Sequence, residues 1–252
     1  MARTQDVTTK KNVSKFEADV QHTGSYAYTT ERLSARLANL RISKCIAQAY
    51  DFTGKTVLDV GCGDGAYTLE FPTLAVKEVV GVDPAGLAIE AANVKAHKLG
   101  LDTTVKFEVG NIYDLEPYLV GNRFDCIVLR GVVHHLLDPA RAITGLSSFN
   151  GTIVVLEPNG NNPVLKLLEK YSQYHIEHEE RSFAPARIRS WLTAAGFHVC
   201  SSKVINLVPF FCPDWMAKVL RVVEPLFERL PLVRDIACGQ NIIVAHRIGR
   251  TA

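Results

Sequence analysis

Three glycines at alternate positions, Gly61, Gly63 and Gly65, directly follow Val57-Leu58-Asp59-Val60. Glycine carries no Cβ, so a turn built this way lets a ligand come close to the backbone. Gly61, Gly63 and Ala66 also match the spacing G-x-G-x-x-G/A of a dinucleotide turn. Asp83 ends the next apolar run, Val79-Val80-Gly81-Val82, where a carboxylate can accept from ribose hydroxyls. A phosphate-cradling P-loop would need Gly-Lys-Ser/Thr at its end, and Gly65-Ala66-Tyr67 stands there instead. The loop and Asp83 therefore point to an adenosine-type ligand without separating NAD from other such molecules.

These residues need a frame to hold them. Strand-like runs lie at 56–60, 78–82, 104–109, 124–129, 151–156, 198–206 and 240–246, with helical runs at 65–72, 86–99, 138–147 and 185–196. From Leu87 the apolar positions follow a near-helical period, and Gly100 stops that run. Alternation of this kind predicts an α/β fold, a doubly wound and mostly parallel sheet with helices on both faces. Three segments break the rhythm: residues 1–50, with a helical run from about Thr30 to Tyr50, then 158–184 and 207–239. Segments this long act as lids or binding elements, and they are expected to gather as a cap over the edge that bears the glycines.

The chain has 252 residues, 47% of them hydrophobic, enough for one large domain with a substantial core. Lys and Arg number 28 against 26 Asp and Glu, a net charge of +2, so no nucleic-acid partner is expected. The polar start lacks a signal-peptide core, and no window reaches the ~20 apolar residues of a membrane span. Six cysteines at long spacing suggest neither a disulfide framework nor a zinc knuckle, which reads as a cytoplasmic protein.

Four motifs in order resemble the class I S-adenosylmethionine-dependent methyltransferases, particularly those of small molecules. They are Val57 to Gly65, Val80-Gly81-Val82-Asp83-Pro84, Phe107 to Ile112, and Phe124 to Leu129 followed by Val133 to Pro139. The similarity is close over about 55–160 and extends to the rest only in outline. It implies one methyltransferase domain over 1–252, a seven-stranded sheet whose last strand is antiparallel, and S-adenosylmethionine as cofactor with S-adenosylhomocysteine as product. It further implies that Asp59 and the Gly61, Gly63 and Gly65 backbone hold the methionine end, that Asp83 with Pro84 takes the ribose, and that Asn111 and Ile112 frame the adenine. The backbone near Arg130 would face the amino-acid part, its side chain reaching an anionic substrate group or solvent. Asn111 stands where an aspartate is common, and its amide oxygen could still meet the adenine amino group. The Asn/Asp-Pro-Pro-aromatic motif that grips an extruded base is missing at Leu129-Arg130-Gly131-Val132-Val133.

The cofactor's methyl group is already activated, so a base is needed only for an acceptor that must lose a proton. His134 or His135, beside the expected methyl, could be that base, with His134 preferred; both could equally be scaffold. Glu157 or Asn159 could orient an acceptor, although Asn159 to Pro163 also suits a turn. His175-x-x-His178 is not read as a metal site, since no third ligand is evident, but either side chain could enter an acceptor pocket. Tyr26 and Tyr28 could close as a lid or pack on the core. Residues 207–239 give an apolar face from Trp215, Met216, Val219, Leu220, Val222, Val223, Leu226 and Phe227, with Lys218, Arg221, Glu224 and Glu228 opposite. That face could pack on the domain, line an apolar pocket, or meet a membrane surface. The expected activity is methyl transfer to a small or lipid-like acceptor, on oxygen first, then carbon as in quinone-type substrates, then nitrogen. An NAD(P)-dependent oxidoreductase remains a rival, without a Tyr-Lys proton donor, as does a non-catalytic S-adenosylmethionine-binding protein.

Overall fold

The computed structural model describes residues 31–172 and 181–247. Tyr26, Tyr28, His175 and His178 lie outside the described residues. The sheet has seven strands: β1 (Thr56–Val60), β2 (Glu78–Asp83), β3 (Val105–Val109), β4 (Cys126–Arg130), β5 (Thr152–Pro158), β6 (Phe197–Ile205) and β7 (Gln240–Arg247). Their order is β3-β2-β1-β4-β5-β7-β6. The first five pair in parallel, while β7 runs antiparallel between β5 and β6, as the family resemblance implies.

The helices are α1 (Leu33–Ala49), α2 (Gly86–Lys98), α3 (Glu116–Leu119), α4 (Pro139–Gly145), α5 (Pro163–Tyr171), α6 (Pro185–Ala194), α7 (Asp214–Phe227) and α8 (Pro231–Ala237). Strands buried on both faces explain the unbroken apolar runs. Leu58, Leu129, Ile153 and Ile243 face Ile143 of α4 and Ile188 and Leu192 of α6. Val57, Val128, Val154 and Val244 face Ile42 and Ile46 of α1 and Ile89 and Ala92 of α2. Gly100 ends α2 at φ +67, with Gly100 N–H on the His97 carbonyl and Leu101 N–H on that of Ala96, a Schellman closure.

One element differs from expectation. The helical run at 65–72 is a 3₁₀ segment, Thr68–Leu74, with Pro72 inside it. Proline lacks the N–H an α-helix needs at that position, and Ala75 then turns left-handed at φ 55.

The segments outside the rhythm hold one another. Arg41 of α1 donates from Nε to Glu228 at 2.9 Å, and the Ser34 hydroxyl donates to the Phe210 carbonyl at 2.7 Å. In α7 the expected polarity is partly reversed. Leu220, Val223 and Phe227 pack with Val204, Leu207 and Cys238, but Glu224 is buried and Trp215, Val219, Val222 and Leu226 are exposed. Glu224 goes inward because its carboxylate accepts from the Leu207 N–H and from Arg221.

Candidate active site

The strand order reverses direction between β1 and β4, and ligands of open α/β sheets bind beyond the carboxyl ends at such a point. Val60 pairs with Leu129, so the glycine turn after β1 lies beside the turn after β4. Gly61 sits at φ +75, and a Cβ there would come within 2.5 Å of Val132. Gly65, at φ +74, would put a Cβ 2.6 Å from Phe107. These two glycines are therefore required by left-handed backbone and by close packing together. Gly63 is left-handed as well, at φ +54, and its N–H donates to Asp83 Oδ2 at 2.9 Å.

Asp83 is fixed from both sides, since the Ala85 N–H donates to Oδ1 at 2.9 Å. Each oxygen of a carboxylate keeps a second lone pair, which makes this tip of β2 an acceptor pair for two neighbouring hydroxyls. Burial pushes its pKa up, against the pull of the two N–H donors. Pro84 follows, exposed, and starts the turn into α2. Asp64 is buried inside the glycine turn and anchored by Lys95 of α2 at 2.5 Å, a pin the sequence reading did not single out.

Asp59, buried in β1, accepts from the Thr68 hydroxyl at 2.6 Å. Burial raises its pKa to about 6, with Thr68 and then Arg130 opposing. Arg130 reaches neither an anion pocket nor solvent. Its guanidinium lies 3.4 Å from the Tyr67 ring centroid and donates to Ser43 Oγ at 3.1 Å and Asn39 Oδ1 at 3.3 Å, both on α1. Burial lowers its pKa, while Tyr67, Glu70 and Asp59 oppose. Between Asp59, Tyr67, Glu70 and Arg130 lies a cavity of about 20 Å³, room for roughly one water. The Tyr67 hydroxyl is buried there without a hydrogen-bond partner among the described residues, and burial raises its pKa to about 12.

Beyond β3, the buried Ile112 joins the core, and Asn111, just before it, caps the turn. Its Oδ1 accepts from the Tyr113 N–H at 3.1 Å, capping a short 3₁₀ turn. The amide oxygen thus has one structural partner and keeps a second lone pair. Gly110 and Asn111 line a second cavity with Glu108 and Tyr118. Neither cavity takes a residue from 207–239.

Glu157 does not present itself to an acceptor either. Buried at the end of β5, its Oε1 accepts from the N–H groups of Val132 and Val133, both at 2.7 Å. Its Oε2 takes the His134 N–H at 3.1 Å and lies 2.8 Å from His134 Nδ1. A carboxylate only accepts, so Nδ1 carries the proton and Nε2 the basic lone pair. The His135 ring lies 3.8 Å from that of His134, centroid to centroid. Asn159 is likewise spent on structure: it is buried and donates to the carbonyls of Asp235 and Cys238. Asn162 caps α5 by accepting from Val164 and Leu165. Sequence reasoning missed Ser43, Asn39 and Tyr67; an arginine after β4 with a tyrosine after the glycine turn was the available signal.

A fold wound this way, with a glycine turn and an acidic tip on neighbouring strands, defines a nucleotide-cofactor site of the methyltransferase type. Residues 51–212, more than half of the chain, match a family model described as "Methyltransferase domain", and the chain belongs to that family, the class I S-adenosylmethionine-dependent methyltransferases. The nicotinamide alternative falls with that match. The site suits S-adenosylmethionine, with an acceptor pair at Asp83 for the ribose. Among solved structures, the chain resembles a geranyl diphosphate methyltransferase in complex with SAM, at TM-score 0.62 and 18% identity over 87% of this chain and 92% of that one. It also resembles the [4+2]-cyclase SpnF, at TM-score 0.67 and 18% identity over 96% of each. Curated relatives include a "Ubiquinone biosynthesis O-methyltransferase" of Cereibacter sphaeroides, 29% identical over 54% of this chain and 52% of the relative. A "tRNA U34 carboxymethyltransferase" of Campylobacter hominis is 34% identical over 39% of this chain and 33% of the relative. The matches thus span about half or less of these relatives' lengths. The tRNA-modifying relative leaves the expected exclusion of nucleic acid without support.

Proposed function

We propose that this chain transfers a methyl group from S-adenosylmethionine to a hydroxyl of a small or lipid-like acceptor, with His134 as general base. The buried Glu157–His134 pair, at 2.8 Å, is the observation that carries the reading. Glu157 fixes the imidazole's tautomer and orientation, as a carboxylate does for a catalytic histidine elsewhere. Bound S-adenosylmethionine supplies a methyl group on a positively charged sulfur. Asp83 binds the ribose hydroxyls, the amides of the glycine turn approach the methionine end, and the Asn111 amide meets the adenine. Arg130 ties α1 to the same edge and supplies positive charge beside Asp59 and Glu70. Acceptance of a hydroxyl proton at His134 Nε2 sets oxygen ahead of carbon and nitrogen, which keep second and third place. An O-methylating relative supports that order.

The test is transfer of label from methyl-labelled cofactor to a panel of phenols, catechols, prenylated quinols, amines and total tRNA. O-methylated phenolic or quinol product, reduced at least a hundredfold by His134→Gln, is expected from the loss of a general base. Product formed at an unchanged rate by His134→Gln removes the base role. Label found only in tRNA removes the small-molecule acceptor. A fold can host unrelated chemistry, so transfer itself must be measured.

A further inference from the structure

Helices α5, α7 and α8 all stand at the carboxyl edge of the sheet. Asn162 at the start of α5 donates to the carbonyls of Ala237 and Cys238 at the end of α8, and α7 is tied to α1 through Glu228 and Arg41. Their outer surface is apolar. Trp215, Val219, Val222 and Leu226, spaced i, i+4, i+7, i+11, form a stripe along α7, and Leu232 and Ile236 of α8 extend it, each more than half exposed. Leu167 and Tyr171 of α5, the helix whose Asn162 cap is bonded to the end of α8, are also more than half exposed. An apolar surface of this extent marks an interaction site.

The charges beside it are sorted by sign. Glu169 is drawn onto the Ser182 N–H, Glu224 onto the Leu207 N–H and Glu228 onto the Asn206 N–H, all inward. Asp235, its side chain 44% exposed, pairs with Arg234, and Asp214 at the start of α7 is exposed. Lys170, Lys218 and Arg229 are exposed and carry no ion pair among the described residues.

We propose that this face docks on an anionic lipid surface. An amphipathic helix with an apolar stripe flanked by Lys and Arg lies in a bilayer interface, and anionic headgroups attract each cation. A second copy is a poorer occupant, because a two-fold interface sets a patch against itself and would oppose these cations. No helix among the described residues is long and apolar enough to cross a membrane, so the contact is peripheral. Docking holds the sheet edge bearing Asp83 and His134 toward the lipid, whatever the methyl acceptor is.

The full chain would be sedimented with vesicles of phosphatidylcholine alone and of phosphatidylcholine with phosphatidylglycerol in equal parts. Trp215 and the partly buried Trp191, packed against Phe183, are the two tryptophans of the chain, so Trp215 reports the contact. The expected result is binding to the anionic vesicles only, a blue shift of emission, and loss of both at high salt. Lys218→Glu and Arg229→Glu should each weaken partitioning roughly fivefold or more. Val222→Glu should abolish it while the melting curve and S-adenosylhomocysteine affinity stay unchanged. Absence of binding overturns the proposal, as does equal binding to both vesicle types. A dimer in light scattering that Val222→Glu dissociates also overturns it, in favour of a second copy.

Discussion

Replacing Glu157 by Gln keeps the side chain's shape and one of its two acceptor oxygens. That oxygen can still serve the Val132 and Val133 N–H groups, now as a neutral acceptor in place of a charged one. The new amide group then faces the His134 N–H, donor against donor, where Oε2 had accepted at 3.1 Å. A buried donor left without a partner costs about 1–3 kcal/mol, and weakening two charge-assisted bonds adds to that, so a loss of about 3 kcal/mol follows. At roughly 2–4 °C per kcal/mol for a chain of this size, melting should fall by about 6–12 °C. The chemistry changes as well. The amide donates to Nδ1, which moves the imidazole proton to Nε2 and removes the base from the acceptor side. Methyl transfer should fall at least a hundredfold, the ordinary contribution of a general base, at unchanged S-adenosylhomocysteine affinity. Differential scanning calorimetry and single-turnover transfer read the two effects separately. A variant that melts as the parent and transfers methyl at the parent's rate would refute the role given to Glu157 in both structure and chemistry.

Asp83→Ala should weaken S-adenosylhomocysteine binding about a hundredfold or more, since two hydroxyl contacts to a carboxylate are lost together, read by calorimetric titration. Asp59→Asn should stabilise the chain relative to the parent at neutral pH. A folded pKa of about 6 against 3.8 places the full effect of the parent's carboxyl below about pH 4 and its loss as pH rises through 6, a difference of about 3 kcal/mol in melting experiments run across that window. A gap between Asp59→Asn and parent that stays constant from pH 4 to 7, about the two pKa values, would contradict it. Gly61→Ala should cost at least about 2 kcal/mol of stability from left-handed strain and overlap with Val132, with cofactor binding lost alongside.

The centre of the sheet was legible because β1, β2, β4, β5 and β7 are buried on both faces, which writes them as mainly apolar runs, while β3 and β6 alternate with polar, exposed residues. β1 matches its expected span and β7 runs one residue longer. The cofactor turn was legible because left-handed backbone demands glycine at Gly61 and Gly65. What escaped were residues whose role depends on tertiary partners. Glu157 reads as an acid after a strand that could orient an acceptor, yet three N–H groups and an imidazole converge on it. Arg130 reads as reaching an anionic substrate group or solvent, but α1 arrives from a distant part of the chain to cover it. Helical periodicity showed α7 to be amphipathic, but the burial of Glu224 turned part of its apolar stripe outward.

The central claim is that S-adenosylmethionine is bound over the glycine turn and held at Asp83. Calorimetric titration of the full chain with S-adenosylhomocysteine, and separately with NAD and NADP, tests it most directly. Micromolar binding of S-adenosylhomocysteine alone, lost in Asp83→Ala, is the predicted result. Binding of a nicotinamide nucleotide with no response to S-adenosylhomocysteine would contradict it.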